Sequence, residues 1–343
     1  MNVSRYTKQT NTELRFDVEF ITPTFLGGAD GNAEIRTAPF KNLLRRWWRI
    51  ANGNLSPEEL WQKESELFGS TEKNPKTGKT FGKSKVMFGI LDSNNVRYIN
   101  EKIDIGKDEY TNLAMYAGYG SANSGKNYIA PKSRCSFVLT IPAKEELSIT
   151  KTLFYIHLFG TLGSRSRNGF GSISIMPKNF KFDPKLHFPL PVDFEKALSF
   201  NKNYPFCVGK DKNGMLCWKT ENCTSWQEAF EITARIYHQL VVDLKKDDKN
   251  YKTRWRNLLG YATKNSRLPS QLILKICKFS SKNSNGILKD IFYGQVFHLP
   301  YSVDDWKKED GNQLEAWKFI HEWLDGESSL DGSMGRKIGG TAK

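Results

Sequence analysis

Residues 14–21 read L-R-F-D-V-E-F-I, and the fold can be worked out from this stretch outward. Apolar and charged residues alternate along it, which is typical of a β-strand with one buried face. The next periodic segment, A-P-F-K-N-L-L-R-R-W-W-R-I-A-N at 38–52, has apolar residues at helical spacing and a proline suited to the first turn. A second helix should begin at Ser56, with Glu59 at the capping-box position, and end at Gly69.

The rest of the N-terminal half continues this pattern. We predict strands over 86–91, 136–141 and 172–176, and a helix over 151–162 that is capped by Thr150. The resulting order, strand, helix, strand, strand, helix, strand, is that of the ferredoxin-like fold, which also underlies the RNA-recognition motif. Many unrelated proteins share this order, so it does not indicate a function by itself.

Three prolines between 183 and 193 indicate a boundary after this first unit. Further elements are predicted beyond it: a long amphipathic helix over 225–245, strands over 271–279 and 291–299, and a last helix over 311–325. The expected fold class is α+β, with two ferredoxin-like (RRM-like) units of which the second is more helical. The expected division is an N-terminal domain at 1–183 with an insertion near 92–132, a C-terminal domain at 192–325, and a mobile tail at 326–343.

The charge of the chain narrows the class of partner. The 343 residues include 51 Lys and Arg against 37 Asp and Glu, for a net charge of +14. Such a balance suits nucleic acid, an anionic membrane surface or an acidic protein. The basic residues are spread along the chain and mixed with Asn, Ser, Gly and aromatic residues, unlike those of a membrane-surface helix, and this favours nucleic acid. No apolar run approaches the ~20 residues of a membrane span.

Cysteine usage and glycine motifs indicate neither a metal site nor another cofactor. Five cysteines, an odd number, and an N-terminus without an apolar segment predict a cytoplasmic protein with reduced thiols. The one cysteine cluster, Cys207, Cys217 and Cys223, lacks C-x-x-C spacing and a neighbouring histidine. The segment G-K-T-F-G-K-S at 78–84 is one residue too short between its glycines for a P-loop. We therefore expect no cofactor.

The segment G-T-L-G-S-R-S-R-N-G-F-G at 160–171 is the strongest local indication of a binding site. Glycines let a phosphate backbone approach and expose N–H donors, and two arginines add fork-shaped, charge-assisted contacts. An aromatic ring beside them could stack on a base. The alternative is an ordinary glycine-rich turn with solvated arginines. The candidate RNA-binding residues here are Gly163, Ser164, Arg165, Ser166, Arg167, Asn168 and Phe170.

A basic stripe on the first predicted helix is the second indication. Three of its residues fall at i, i+4 and i+8 and line one face, with a fourth beside them. Like charges at this spacing repel one another, so the stripe favours an external counter-charge such as an RNA backbone. The alternative is a solvated face that is partly balanced by Glu34 and Glu64. The four basic residues are Lys41, Arg45, Arg46 and Arg49.

Several ordered blocks carry a resemblance to a known family. In the N-terminal half they are T-P-T-F-L-G-G-A-D at 22–30, A-E-I-R-T-A-P-F-K-N-L-L-R-R-W-W-R at 33–49, E-x-E-L-F-G-S at 64–70 and G-S-R-S-R-N-G-F-G-S at 163–172. Weaker matches follow at 266–275, S-R-L-P-S-Q-L-I-L-K, and at 292–300, F-Y-G-Q-V-F-H-L-P. The blocks resemble the RAMP superfamily of CRISPR proteins, and within it the family of the first Cmr subunit of type III-B effector complexes.

The resemblance implies a fold and a function. It implies two ferredoxin-like units with a RAMP-type glycine-rich loop, and a non-catalytic subunit that holds the 3′ region of the guide (CRISPR) RNA and its paired target RNA in antiviral defence. The implied partners are these RNAs and neighbouring Cmr RAMP subunits, with no membrane. By position, the four basic residues match the family's basic helix, and Arg165, Arg167 and Asn168 match its loop. The loop at 71–83 and the insertion at 92–132 depart from the family, so no role is implied for them.

Metal-independent RNA cleavage is the alternative function. RAMP relatives that process guide RNA cut without metal, often with a histidine as general acid or base, and backbone subunits use a loop aspartate. None of the five histidines lies in the glycine-rich basic loop. Asp30, in G-G-A-D-G, is the one candidate catalytic residue, although an aspartate beside glycines is more often a turn residue. A non-catalytic subunit is therefore favoured over an endoribonuclease of the RAMP type.

Overall fold

The computed structural model covers most of both predicted units. It describes residues 10–28, 31–75, 77–101, 103, 127–200, 204–246, 255–262, 267–282, 286, 288–303, 312–327 and 334–335. Asp30 and most of the predicted insertion at 92–132 lie outside the described residues. None of the helices in the described part has the length and apolar character needed to cross a membrane.

The N-terminal unit is built on a four-stranded antiparallel sheet. In chain order its elements are β1 (Asn11–Phe20), α1 (Thr37–Ala51), α2 (Pro57–Phe68), β2 (Ser70–Lys73), β3 (Thr80–Gly82), β4 (Met87–Asp92), β5 (Tyr98–Ile99), β6 (Tyr128–Ile129), β7 (Arg134–Pro142), α3 (Glu146–Phe159) and β8 (Ile173–Pro177). The sheet order is β4-β7-β1-β8, and all three pairs are antiparallel. Counted among the four strands this is 2-3-1-4, the ferredoxin-like arrangement, so the predicted fold of this unit is confirmed.

Local sequence signals explain where the helices begin and end. The Glu59 amide donates to the Ser56 hydroxyl at 3.3 Å, and the Ser56 amide donates to the Glu59 carboxylate at 3.2 Å, which is the predicted capping box of α2. Helix α3 instead begins one turn earlier than predicted, at Glu146. Thr150 lies inside it, and its hydroxyl donates to the Glu146 carbonyl at 2.8 Å rather than capping the helix.

The C-terminal unit repeats the same arrangement with more helix. Its elements, after the short α4 (Pro184–His187), are β9 (Val192–Asp193), α5 (Phe194–Ser199), β10 (Gly209–Asp211), β11 (Gly214–Met215), β12 (Cys217–Thr220), α6 (Trp226–Lys246), β13 (Tyr261–Ala262), β14 (Arg267–Leu268), β15 (Leu272–Lys282), β16 (Leu288–His298), α7 (Gln313–Glu322) and β17 (Met334–Gly335). The main sheet runs β15-β16-β12-β17, again antiparallel throughout and again 2-3-1-4. A small sheet, β11-β10-β9, precedes it.

Two strands of the second sheet differ from the sequence prediction. β12 has four residues, C-W-K-T, and is too short to show a period. β17 pairs Gly335 with Lys219 and Met334 with Thr220. It lies within 326–343, where these two residues form an edge strand, and the mobility of the tail stays a prediction.

The two units share an apolar junction. Phe297 of β16 packs against Trp47 of α1 and Phe159 of α3, with ring centroids 6.3 and 5.0 Å apart. Lys275 of β15 is buried, and its ammonium donates to two carbonyls in the last turn of α3, the nearer being that of His157 at 2.6 Å. The Ile156 carbonyl also accepts from the Gly160 amide at 2.7 Å, whereas the His157 carbonyl lies beyond the last bond of the helix, so the lysine supplies a donor there. The junction thus holds the end of α3, where the glycine-rich segment starts.

Candidate nucleic-acid interface

The glycine-rich loop (residues 163–171) lies between the two units and is bonded to both. The Ser164 amide donates to the Phe25 carbonyl of the first unit at 3.0 Å. The Leu274 amide of β15 donates to the Arg167 carbonyl at 2.8 Å. The main chain of the loop is therefore fixed by protein on two sides.

Three glycines of the loop are required by the protein's own packing. Gly163, Gly169 and Gly171 have φ of 90°, 89° and 64°, in the left-handed region that favours glycine. A Cβ atom on Gly163 would lie 2.5 Å from the Phe25 carbonyl oxygen, and one on Gly169 would lie 3.0 Å from the Phe230 ring. The glycines thus admit close approach of protein, whereas the sequence had suggested approach of phosphate.

Phe170 is a core residue, which corrects its predicted role. Its ring is fully buried and packs against Phe25 and Phe230, with centroids 5.5 and 4.8 Å apart. A base cannot stack on a ring that has no exposed face. We therefore remove Phe170 from the candidate RNA-binding residues.

The two arginines of the loop lie in different environments. Arg165 is exposed and has a φ of 57°, which residues other than glycine rarely adopt. Arg167 is half-buried, and its guanidinium donates a hydrogen bond to the Ser270 carbonyl of the second unit. Burial lowers the pKa of Arg167. Ser166 and Asn168, also half-buried, complete the turn between them.

One side of helix α1 is neutralised by a carboxylate. Glu64 of α2 is buried and forms ion pairs with Arg45 and with Arg49, whose Nε lies 3.5 Å from Glu64 Oε2. The Arg49 guanidinium also lies over the Tyr204 ring at 5.6 Å. Lys41 is half-buried one turn before Arg45. Of the two carboxylates in the alternative interpretation, Glu34 and Glu64, Glu64 therefore does balance part of the stripe.

Arg46 lies on another side of α1 and has no such partner. Its Nε and Nη2 atoms are buried and make no hydrogen bond among the described residues, and its guanidinium lies 5.9 Å from the centroid of the Trp47 ring. Burial, with repulsion from Arg167 and Arg49, lowers the pKa of Arg46 to about 10. The residue still carries its charge at neutral pH. The structure thus brings the basic helix and the glycine-rich loop together.

We call Arg46, Arg49 and Arg167 the arginine cluster. The partnerless donors of Arg46 are costly, because a buried donor without an acceptor loses its hydration without replacement. A phosphodiester would supply two acceptor oxygens in the fork geometry of a guanidinium. The sequence did not single out Ser270 or Tyr204 for this site, although Ser270 lies in the weaker block at 266–275.

The described part of the chain contains few groups suited to metal binding or to acid–base catalysis. There, no three His, Cys, Asp or Glu side chains converge as metal ligands do. His157 packs in the first unit, and its Nδ1 lies 3.1 Å from the Ile175 carbonyl oxygen. Burial, together with the charge of Lys275, lowers the pKa of His157 to about 4, so its ring is neutral at physiological pH.

Comparison with known sequences agrees with the resemblance noted above. Residues 17–174 match the model of the RAMP superfamily. The CRISPR system Cmr subunit Cmr1-1 of Pyrococcus furiosus is 26% identical over 169 residues, which are 47% of this chain and 47% of the relative. Cmr1-2 of the same organism is 26% identical over 182 residues, which are 48% of this chain and 95% of the relative. The match to Cmr1-1 thus spans about half of that relative.

Solved structures extend the likeness in fold to most of the chain. The crystal structure of apo Cmr1 from Pyrococcus furiosus superimposes with a TM-score of 0.52 and 16% identity over 91% of this chain and 95% of that one. A chain of the cryo-EM structure of the type III-B Cmr-beta complex bound to cognate target RNA gives a TM-score of 0.50 and 11% identity over 91% and 100%. At these identities the likeness concerns the fold. Together with the family match, it confirms the resemblance to the RAMP superfamily.

Proposed function

We propose that this chain is a non-catalytic, cytoplasmic RNA-binding subunit of a type III-B CRISPR (Cmr) ribonucleoprotein. It holds the 3′ region of the guide RNA and the target RNA paired with it, beside neighbouring Cmr RAMP subunits. The observation that carries the proposal is the arginine cluster, in which two separate segments bring guanidiniums together and Nε and Nη2 of Arg46 have no partner in the described part of the chain. The curated relatives are Cmr subunits, and the Cmr-beta structure contains target RNA.

The cluster suits a sugar-phosphate backbone and not a particular base. Arg46 has two buried donors, Nε and Nη2, without a partner among the described residues, while Arg49 is oriented by Glu64 and Tyr204. Arg165 lies exposed on the adjoining turn. Contacts of this kind are directed at phosphate and fix the register of a strand without reading its sequence. A guide-holding subunit requires this property, because guides differ in sequence.

The open face of the first sheet does not offer the aromatic platform of an RNA-recognition motif, which stacks bases on rings of its central strands. On β1 the side chains opposite the core are charged: Glu13, Arg15 and Asp17. Asp17 pairs with Lys178 at 2.7 Å, and Arg134 on the adjoining strand pairs with Glu19 at 3.1 Å. The cluster between the units is therefore the better candidate for the RNA contact.

Replacement of Arg46 by methionine tests the proposal. Fluorescence anisotropy with a labelled RNA should show at least about a tenfold decrease in affinity, and the slope of log K against log salt should fall by about one for each phosphate that Arg46 neutralises. Stability towards urea should stay constant or rise, since partnerless buried donors cost about 1–3 kcal/mol each. Arg235→Met is the matched control, because Arg235 also lies on a helix and pairs with Glu231 at 3.0 Å.

Three outcomes would contradict the proposal. An intact chain that binds no RNA at low salt would remove the function. A decrease in stability in Arg46→Met with unchanged affinity would assign the cluster to folding. Incubation with RNA, with Mg²⁺ or with a chelator, should leave the RNA uncut. Cleavage that disappears in Asp30→Ala would favour the endoribonuclease instead.

A further inference from the structure

The segment after α2, predicted as a loop and without an implied role, is an ordered β-hairpin. We call its described residues, 70–75 and 77–85, the lysine hairpin. Ser70 pairs with Gly82, and Lys73 pairs with Thr80. The turn is closed by the Asn74 amide, which donates to the Lys79 carbonyl at 2.8 Å. The hairpin therefore has a defined shape.

The base of the hairpin is anchored to α2. Gly69 ends that helix with a φ of 82°, and a Cβ atom there would lie 2.7 Å from the Ser84 amide nitrogen. The Lys85 amide donates to the Leu67 carbonyl at 2.9 Å. Only glycine fits where the two strands leave the helix, so the hairpin is held in a fixed direction.

The hairpin and its base form a lysine-rich surface. Beside the base is a cleft of about 310 Å³ whose lining includes three of the lysines and two carboxylates, Glu66 and Glu145. Glu72 is the one carboxylate on the hairpin itself. The exposed lysines of this surface are Lys63, Lys73, Lys79, Lys83, Lys85 and Lys144. Lysines outnumber carboxylates here, and a polyanion is the complementary partner.

A pair of aromatic rings lies among these lysines. Trp61 of α2 meets Phe81 of β3 edge to face, with centroids 5.2 Å apart and an interplanar angle of 89°. Both rings are only half-buried, unlike Phe170. Exposed lysines with accessible rings are what proteins use for single-stranded nucleic acid, where phosphates meet the charges and bases stack on the rings. Lysines alone would suit any polyanion, and the rings favour RNA among the polyanions because its bases can stack on them.

We propose that the lysine hairpin and the Trp61–Phe81 pair form a second site, specific for single-stranded RNA and separate from the arginine cluster. The inference rests on the proposed function, since one RNA would reach both sites. The two sites lie on adjoining helices, because Glu64 of α2 bonds Arg45 and Arg49 of α1. RNA that is single-stranded where it leaves the arginine cluster would reach the lysine hairpin next.

A matched pair of triple variants tests the site in the full chain. Lys73→Ala, Lys79→Ala and Lys83→Ala together remove three charges from the hairpin. Lys185→Ala, Lys212→Ala and Lys289→Ala remove three exposed charges elsewhere. With a labelled single-stranded uridine 12-mer, the hairpin variant should bind about tenfold more weakly than the control, with a salt slope smaller by roughly two units. Binding of an RNA duplex should change about equally in both.

A second variant separates stacking from charge. Phe81→Ser should lower affinity for the 12-mer roughly fivefold and leave the salt slope unchanged, because a ring displaces no counterions from the RNA. Phe81 lies on the hairpin outside the main cores, so the fold should persist, and circular dichroism checks this.

The outcomes distinguish this site from the proposed function. If the wild-type chain binds RNA and both triple variants bind equally, the hairpin site is overturned and the arginine cluster stands. If the wild-type chain binds no RNA, the proposed function fails first. If the hairpin variant keeps its RNA affinity but no longer co-purifies with neighbouring subunits, the hairpin docks a protein and the inference is wrong.

Discussion

The outer part of the glycine-rich loop (163–166) and the inner part (167–171) are adjacent in sequence and opposite in environment. In the outer part, Ser164 and Arg165 are exposed. In the inner part, Arg167 bonds the Ser270 carbonyl and Phe170 has no exposed surface. The inner part joins the two units, and within it only Arg167 and Asn168 keep partial exposure to solvent.

This difference shows that one motif combines two physical tasks. The glycines and Phe170 fit the loop against Phe25 and Phe230, and that fit determines where the arginines lie. Arg165 and the arginine cluster then remain for contact with phosphate. A glycine-rich basic motif therefore does not imply that its glycines touch the ligand; they can instead position the residues that do.

Shortening the buried side chain of the inner part should have the largest effect of all, and this effect should be a loss of stability. Phe170→Ala should lower the free energy of unfolding by about 3–5 kcal/mol, because it removes a fully buried ring. RNA affinity of the folded variant should stay within about twofold, since the ring faces protein. Urea unfolding and anisotropy, both at low temperature, measure the two effects. A stable variant with reduced affinity would restore a stacking role for Phe170 and would contradict the assignment of the inner part to packing.

Acid pH should have the next-largest effect, because it destabilises the end of α3, the helix that leads into the glycine-rich loop. His157 lies in the last turn of α3, and its pKa in the folded chain is lowered to about 4. Between that value and about 6.5 the unfolded chain binds more protons, so stability falls as pH falls through this window. The decrease approaches roughly 3 kcal/mol for a shift of this size. His157→Gln should flatten the decline in the urea midpoint between pH 7 and pH 4.5.

The remaining acid dependence has other sources. Burial lowers the pKa of His187 and of His298 as well, so the variant should retain part of the decline. A decline in His157→Gln that matches the wild type would show that His157 does not titrate with folding. Arg46, with a pKa of about 10, keeps its charge in this window, so RNA affinity of the folded fraction should follow stability alone.

The two units also differ in how far sequence alone predicts them. β1 has ten residues with alternating burial, and α2 has a full capping box, so local patterns determine the first unit. β12 has four residues and β17 has two. Such short strands are defined by their partners in the sheet, which lie far away in sequence, and no local period marks them.

The same limit explains which site residues were predicted. The basic stripe and its balance by Glu64 follow from helical spacing and charge, which are visible in sequence. The burial of Phe170 depends on Phe230, sixty positions later, and the bond of Arg167 depends on Ser270. These contacts exist only once the second unit packs on the first, so the composition of the loop could not separate its inner part from its outer part.

Arg165 offers the smallest and most specific test of the outer part. Its φ of 57° is strained for any residue with a Cβ, so Arg165→Gly should stabilise the chain by up to about 1 kcal/mol. If the side chain touches phosphate, the same variant should have a salt slope smaller by about one unit. Arg165→Lys keeps both the charge and the strain, and should keep most of the slope without the gain in stability. A glycine variant that is more stable and has an unchanged slope would mean that the outer part presents nothing to RNA, and contact would then fall to the arginine cluster alone.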